Sequence, residues 1–102
     1  MASVSQQKYA KLGVARPAAP GEREPVTEQE LRDRVAQNVR GMRTAAGLTV
    51  EVAAERAGLD ARHWQKIEAA ETSATLRTLA RLADAFAVDP AVLLAPPRPH
   101  DS

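Results

Sequence analysis

From residue 28 onward the apolar side chains recur at three- and four-residue steps. Leu31, Val35, Val39, Met42 and Ala46 follow one another in this way and predict an amphipathic helix over about 28–46. Thr27-Glu28-Gln29-Glu30 ahead of it has the form of a capping box, in which the hydroxyl accepts from the Glu30 amide while Glu30 reaches back. Gly47 stands where a left-handed residue would stop the helix. Val50, Ala53, Ala54 and Ala57 predict a second helix of two turns, capped by Thr49 and ended by Gly58. Asp60 caps a third, over 61 to about 69, with Trp64 and Ile67 facing inward. Leu76, Leu79, Leu82, Ala83 and Phe86 predict a fourth, capped at Thr75. Asp89-Pro90 opens a short fifth, carrying Val92, Leu93 and Leu94 and ended by Pro96-Pro97. No stretch alternates with period two, so the expected class is all-α: a compact five-helix domain.

Two short helices joined by Gly58-Leu59-Asp60 have the form of a helix-turn-helix. The flanks differ. Residues 1–26 hold Pro17, Pro20, Gly21 and Pro25 but no apolar periodicity, and read as a flexible arm. The arm reads either as a solvated leader or as a DNA- or partner-contacting segment carrying Lys8, Lys11, Arg16 and Arg23. The expected organisation is arm 1–26, domain 27–95 and tail 96–102.

Composition narrows the functional classes. A chain of 102 residues has room for one domain. With Tyr9, Trp64 and Phe86 the only aromatics and 21 alanines, the core is expected to be aliphatic, with helices approaching closely. There is no cysteine, hence no disulfide, thiolate nucleophile or cysteine-based zinc site. His63 and His100 make no metal site by themselves, and nothing has the form of a catalytic triad, so no enzyme and no cofactor are expected. No apolar run is long enough for a membrane span and no apolar leader is present, which predicts a cytoplasmic protein. The net charge is +1, and residues 29–95 hold nine basic against nine acidic side chains. Binding to nucleic acid would therefore depend on segregated charge rather than on excess charge.

The residues from Val39 to Leu94 resemble, without a gap, the Cro/phage-repressor-like (Xre) family of helix-turn-helix proteins. The likeness is carried by Arg43 at the end of helix one, Gly47-Leu48-Thr49, Ala54, Gly58-Leu59, Trp64, Ile67 and Glu68, then Leu76 to Phe86, and Val88-Asp89-Pro90 with Leu93-Leu94. It implies a repressor-like, sequence-specific regulator of transcription that inserts helix three into the major groove, whose base edges distinguish all four pairs. The implied base-reading set is Ala61, Arg62, Gln65 and Lys66. Arg62 suits bidentate contact with guanine, and Ala61 a thymine methyl. Flanking or phosphate contacts fall to Arg40, Thr49, Val50, His63, Thr72, Ser73 and Arg77. Thr49 is equally well explained as a cap alone, and His63 as a surface residue. The resemblance also implies a partly buried ion pair between Arg43 and Glu68, and homodimerisation through Val92, Leu93 and Leu94. The expected partners are double-stranded DNA and a second copy, with another protein through the arm as a further option.

Departures from the family pattern are informative. Val50 replaces a usual Gln and Glu71 a frequent Lys or Arg, which removes phosphate contacts. Ala70, Ala74 and Ala87 stand where Gly, Pro and Gly are usual, and a Cβ at Ala70 is expected to alter the following loop. Val50, Glu71 and the neutral balance favour an alternative: an Xre-like module that binds protein, as an antitoxin or an antagonist of another regulator, with weak DNA contact.

Overall fold

A computed structural model describes residues 25–97. The arm, apart from its last residues, lies outside this range with Tyr9, as does His100. The described residues form five helices: α1 (Glu28–Ala45), α2 (Val50–Ala57), α3 (Ala61–Glu68), α4 (Leu76–Ala85) and α5 (Pro90–Leu94). No strand occurs among them. None of these helices is long and apolar enough to cross a membrane.

Each helix starts where a short polar side chain can take up a free amide. Thr27, Thr49, Asp60 and Thr75 accept from the amides of Glu30, Val52, His63 and Thr78, and Asp89 accepts from Ala91. At Thr27 only this half of the capping box is made. Gly47 and Gly58 supply the left-handed turns that end α1 and α2, each with φ +70°.

The chain folds so that α1 packs on α3 and α5, α2 packs on α3 and α4, and α4 packs on α5. The largest side chains without exposed surface are Trp64, Ile67, Leu82, Leu93 and Val39. Ala53, Ala54 and Ala57 let α2 approach the others closely and are themselves buried. Phe86 meets the Trp64 ring edge-on, with centroids 6.0 Å apart.

The structure departs from the sequence expectation at particular residues. Leu76 is 83% exposed, because the inward face of α4 is carried instead by Thr78, Leu79, Leu82 and Ala83. The Thr78 hydroxyl tolerates burial by accepting from the Thr75 hydroxyl at 3.1 Å. Ala46 caps α1 rather than belonging to it, and is exposed. Ala70 does not reject the left-handed conformation: it adopts φ +59°, as Ala87 adopts φ +54°. The loop geometry is kept at a cost of about 1–2 kcal/mol at each alanine.

Candidate nucleic-acid interface

The connection between α2 and α3 is set by local chemistry. The Gly58 amide donates to Glu55 O at 3.1 Å and the Leu59 amide to Ala54 O at 2.9 Å, which closes α2 and reverses the chain. Asp60 then takes the His63 amide at 2.7 Å and starts α3. Its carboxylate is thus used as a cap.

Trp64 and Ile67 anchor one face of α3 in the core, which turns Arg62, Gln65 and Lys66 outward, all exposed. Ala61 and His63 sit half-buried at the flanks. Arg62 and Lys66, one turn apart, make no ion pair among the described residues, so two uncompensated cations share this face. Arg62, His63 and Lys66 line a shallow depression of about 270 Å³ with Asp60 and Thr72.

Glu68 fixes α3 from behind. Its carboxylate is buried, and Arg43 Nε donates to Oε2 at 2.6 Å while Arg43 Nη2 donates to Oε1 at 3.0 Å, a two-pronged pairing of guanidinium and carboxylate. The Trp64 indole N–H donates to Oε2 as well. Arg40 Nε reaches Oε1 at 3.4 Å, and Arg40 Nη2 donates to the Glu68 carbonyl at 3.3 Å. Arg43 Nη1 also donates to Leu48 O at 3.0 Å, so one guanidinium ties α1, the entrance to α2 and α3 together. Burial is the largest single influence on Glu68 and pushes its pKa up. The hydrogen bonds from Arg43 and Trp64, the attraction of Arg43 and the Arg40 contact together outweigh it and leave the carboxyl below the usual range. The pairing with Glu68 in turn raises Arg43.

Several expected roles need correction. Leu93 has no exposed surface and cannot serve a second copy, because it closes the core beneath α1; Leu94 is half-buried, and only Val92 of the three is exposed, at 45%. Val50 is half-buried against the core and offers no polar side-chain atom to a phosphate. Ser73 is exposed, but its hydroxyl proton is donated to Glu28. Arg40 spends its guanidinium on Glu68, although 61% of its side chain stays exposed. Thr49 accepts the Val52 amide at 3.2 Å and so acts as the cap, with its hydroxyl proton free to donate elsewhere. Arg77 is exposed on α4.

Sequence reasoning missed Arg40 and the Trp64 indole as partners of Glu68. The second was signalled by the spacing, since a buried indole N–H needs an acceptor and Glu68 lies one turn beyond Trp64. It also missed Asn38, whose amide donates to the carbonyls of Val92, Leu93 and Ala95 at 3.1, 2.9 and 2.9 Å and satisfies the end of α5.

The sequence pattern of the helix-turn-helix domain family matches residues 34–95, more than half of the chain. The chain belongs to this family. Solved structures of Xre-type regulators share the helix-turn-helix arrangement. A hypothetical transcription factor, NHTF, from Neisseria is 32% identical with a TM-score of 0.65, over 74% of this chain and 86% of that one. The restriction-modification controller protein C.AhdI from Aeromonas hydrophila is 31% identical with a TM-score of 0.58, over 61% of this chain and 94% of that one. An HTH_3 family transcriptional regulator from Vibrio cholerae, 22% identical, shares the fold with a TM-score of 0.63, over 66% of this chain and 38% of that longer one. No curated protein matches the chain. Within the helix-turn-helix domain the turn spans Gly58-Leu59-Asp60, and α3 is its second helix.

Proposed function

We propose that this protein is a sequence-specific DNA-binding regulator of transcription, of the repressor type, which docks α3 in the major groove as a homodimer. The observation that carries the reading is the face of α3: Arg62 and Lys66 without acidic partners among the described residues, Gln65 between them, and the helix itself locked from behind by Glu68. A guanidinium at the exposed start of a helix suits guanine O6 and N7. The Thr49 hydroxyl, His63, Thr72 and Arg77 surround it as phosphate contacts, Gln65 and Lys66 extend the base-reading face, and Ala61 is small enough to admit a thymine methyl. Likeness to a transcription factor and a controller protein supports the same reading.

The dimer is supported by a groove beside Asn38, Gly41, Met42, Val92, Pro96 and Pro97. Gly41 lies inside an 18-residue helix with no atom within 4 Å of where a Cβ would be. Glycine there costs about 1 kcal/mol relative to alanine. A second copy packed closely on this face accounts for it, and Val92 rather than Leu93 is the apolar contact.

Selection of bound sequences from a random duplex pool tests the proposal. The expected consensus has two half-sites about one helical turn apart, and relaxes at one base pair per half-site in Arg62→Ala. An unchanged consensus removes Arg62 as a reader. The exposed acid at Glu71, beside the end of α3, favours the protein-binding alternative. Failure of the native protein to bind any duplex at low salt would decide for that alternative.

A further inference from the structure

The segment Ala69–Thr75 leads from α3 to α4. Its first residues are held by backbone bonds: the Ala69, Ala70 and Glu71 amides donate to Gln65, Ile67 and Lys66 carbonyls, each at 3.0 Å. Beyond Glu71 the backbone hydrogen bonding stops. Among the described residues Thr72, Ser73 and Ala74 make no backbone-to-backbone bond. What holds this corner is a set of side chains at the start of α1, more than forty positions earlier in the chain. Arg32 Nε donates to the Ser73 hydroxyl oxygen at 2.9 Å, and the Ser73 hydroxyl donates to Glu28 Oε2. Arg32 Nη2 closes the triangle on the same Glu28 oxygen at 2.5 Å. Gln29 Nε2 adds a longer bond to Ala70 O at 3.4 Å.

The position of the corner gives the triangle a use. Thr72 stands between two depressions, one bounded by Arg62, His63 and Lys66, the other by Glu28, Leu31 and Arg32. Whatever fixes Thr72 therefore fixes the edge of the α3 face. We infer that Glu28, Arg32 and Ser73 form a latch that positions the Thr72 corner for contact with duplex DNA, with Arg32 as a positioning residue. This rests on the DNA-binding reading above. None of the three side chains lines the depression beside α3, and Arg32 commits Nε and Nη2, and Ser73 its hydroxyl proton, to the triangle. The latch saves binding the cost of ordering three residues that have no ladder of their own.

Direct contact and positioning make opposite forecasts. If charge alone mattered, Glu28→Ala would tighten binding by removing an acid, and Arg32→Ala would lower the salt slope by about 0.9 as one phosphate contact is lost. The latch requires both variants, and Ser73→Ala, to weaken binding about three- to tenfold with the salt slope unchanged. Affinity is measured by titration of the full chain with a duplex carrying its selected site, or a random duplex if none is selected, with substitution of an exposed α4 arginine outside the triangle, Arg81→Ala, as the control. Melting temperatures identify any variant that simply unfolds. Backbone ¹⁵N relaxation of the free protein gives a second readout: Arg32→Ala loosens the amides of Thr72, Ser73 and Ala74, and Arg81→Ala does not. Unchanged affinity in all three variants, tighter binding by Glu28→Ala, or an equally ordered corner in Arg32→Ala overturns the latch. A native protein that binds no duplex at low salt overturns the DNA-binding reading instead, while the relaxation measurement still decides whether the triangle holds the corner.

Discussion

Replacing Arg43 with Met removes the strongest partner of a buried carboxylate while keeping the apolar stem. Glu68 then keeps only the Trp64 indole N–H and the 3.4 Å contact from Arg40, whose side chain is mostly exposed. Two charge-assisted bonds, at 2.6 and 3.0 Å, are lost together with the bond to Leu48 O. Breaking a buried pair from one side costs about 3–5 kcal/mol, against about 0–1 kcal/mol for a pair on the surface. With 18% of the Arg43 side chain exposed, we expect the low end, about 3 kcal/mol. A domain of this size has only about 3–10 kcal/mol in total, so the variant sits near its unfolding limit and melts about 10–20 °C lower. Urea titration followed by fluorescence reports directly on the region, because Trp64 is the single tryptophan. The pH dependence adds a sign. In the native protein the folded Glu68 titrates below its unfolded value, so its stabilisation is complete above about pH 4.3 and is lost as pH falls through the folded value. Without Arg43 the largest remaining influence on Glu68 is burial, which favours the protonated form. Acidification from about pH 5 to pH 3 should therefore cost the variant less than the native protein, and the gap between them should narrow. A loss below about 1 kcal/mol, or a gap that stays constant over that range, would refute the reasoning.

Other substitutions probe separate links. Trp64→Phe keeps a ring in the core but takes a donor from Glu68, and should destabilise by about 1.5–3 kcal/mol in a urea titration followed by circular dichroism; a smaller loss would mean that the indole bond is dispensable. Ala70→Gly and Ala87→Gly relieve left-handed strain of about 1–2 kcal/mol at the expense of about 0.4–1 kcal/mol of unfolded-state entropy, so each should raise the melting temperature by a few degrees. Arg77→Ala should reduce the slope of log K against log salt by about 0.9 for any duplex, since a cation placed on phosphate acts on every sequence alike.

The helices were legible in the sequence because their determinants are local. Thr27, Thr49, Asp60, Thr75 and Asp89 each satisfy an amide two or three residues ahead, so a short window contains both partners. Stripes were legible in period but not at their edges. Leu76 lies three residues before Leu79 and satisfies the spacing, yet the packed face of α4 runs through Thr78, Leu79, Leu82 and Ala83 and leaves Leu76 outside it. Leu93 was misread for the opposite reason. A five-residue helix shows too little periodicity to tell an exposed patch from the lid of the core. Least legible were the polar ties across the fold: Asn38 to the end of α5, Arg32 and Glu28 to Ser73, and Arg40 to Glu68. Their partners lie 28 to 57 residues apart, and only the folded chain brings them within reach.

Six of the eight residues of α3 fall into two sets. Trp64, Ile67 and Glu68 hold the helix to the rest of the molecule, and Arg62, Gln65 and Lys66 do not take part in that hold. Mutational drift on the outer set is therefore nearly free of folding cost, whereas drift on the inner set is not. A lineage carrying this architecture could exchange one outer triplet for another by single steps and remain folded at every intermediate, so its surface chemistry is able to diversify far faster than its shape.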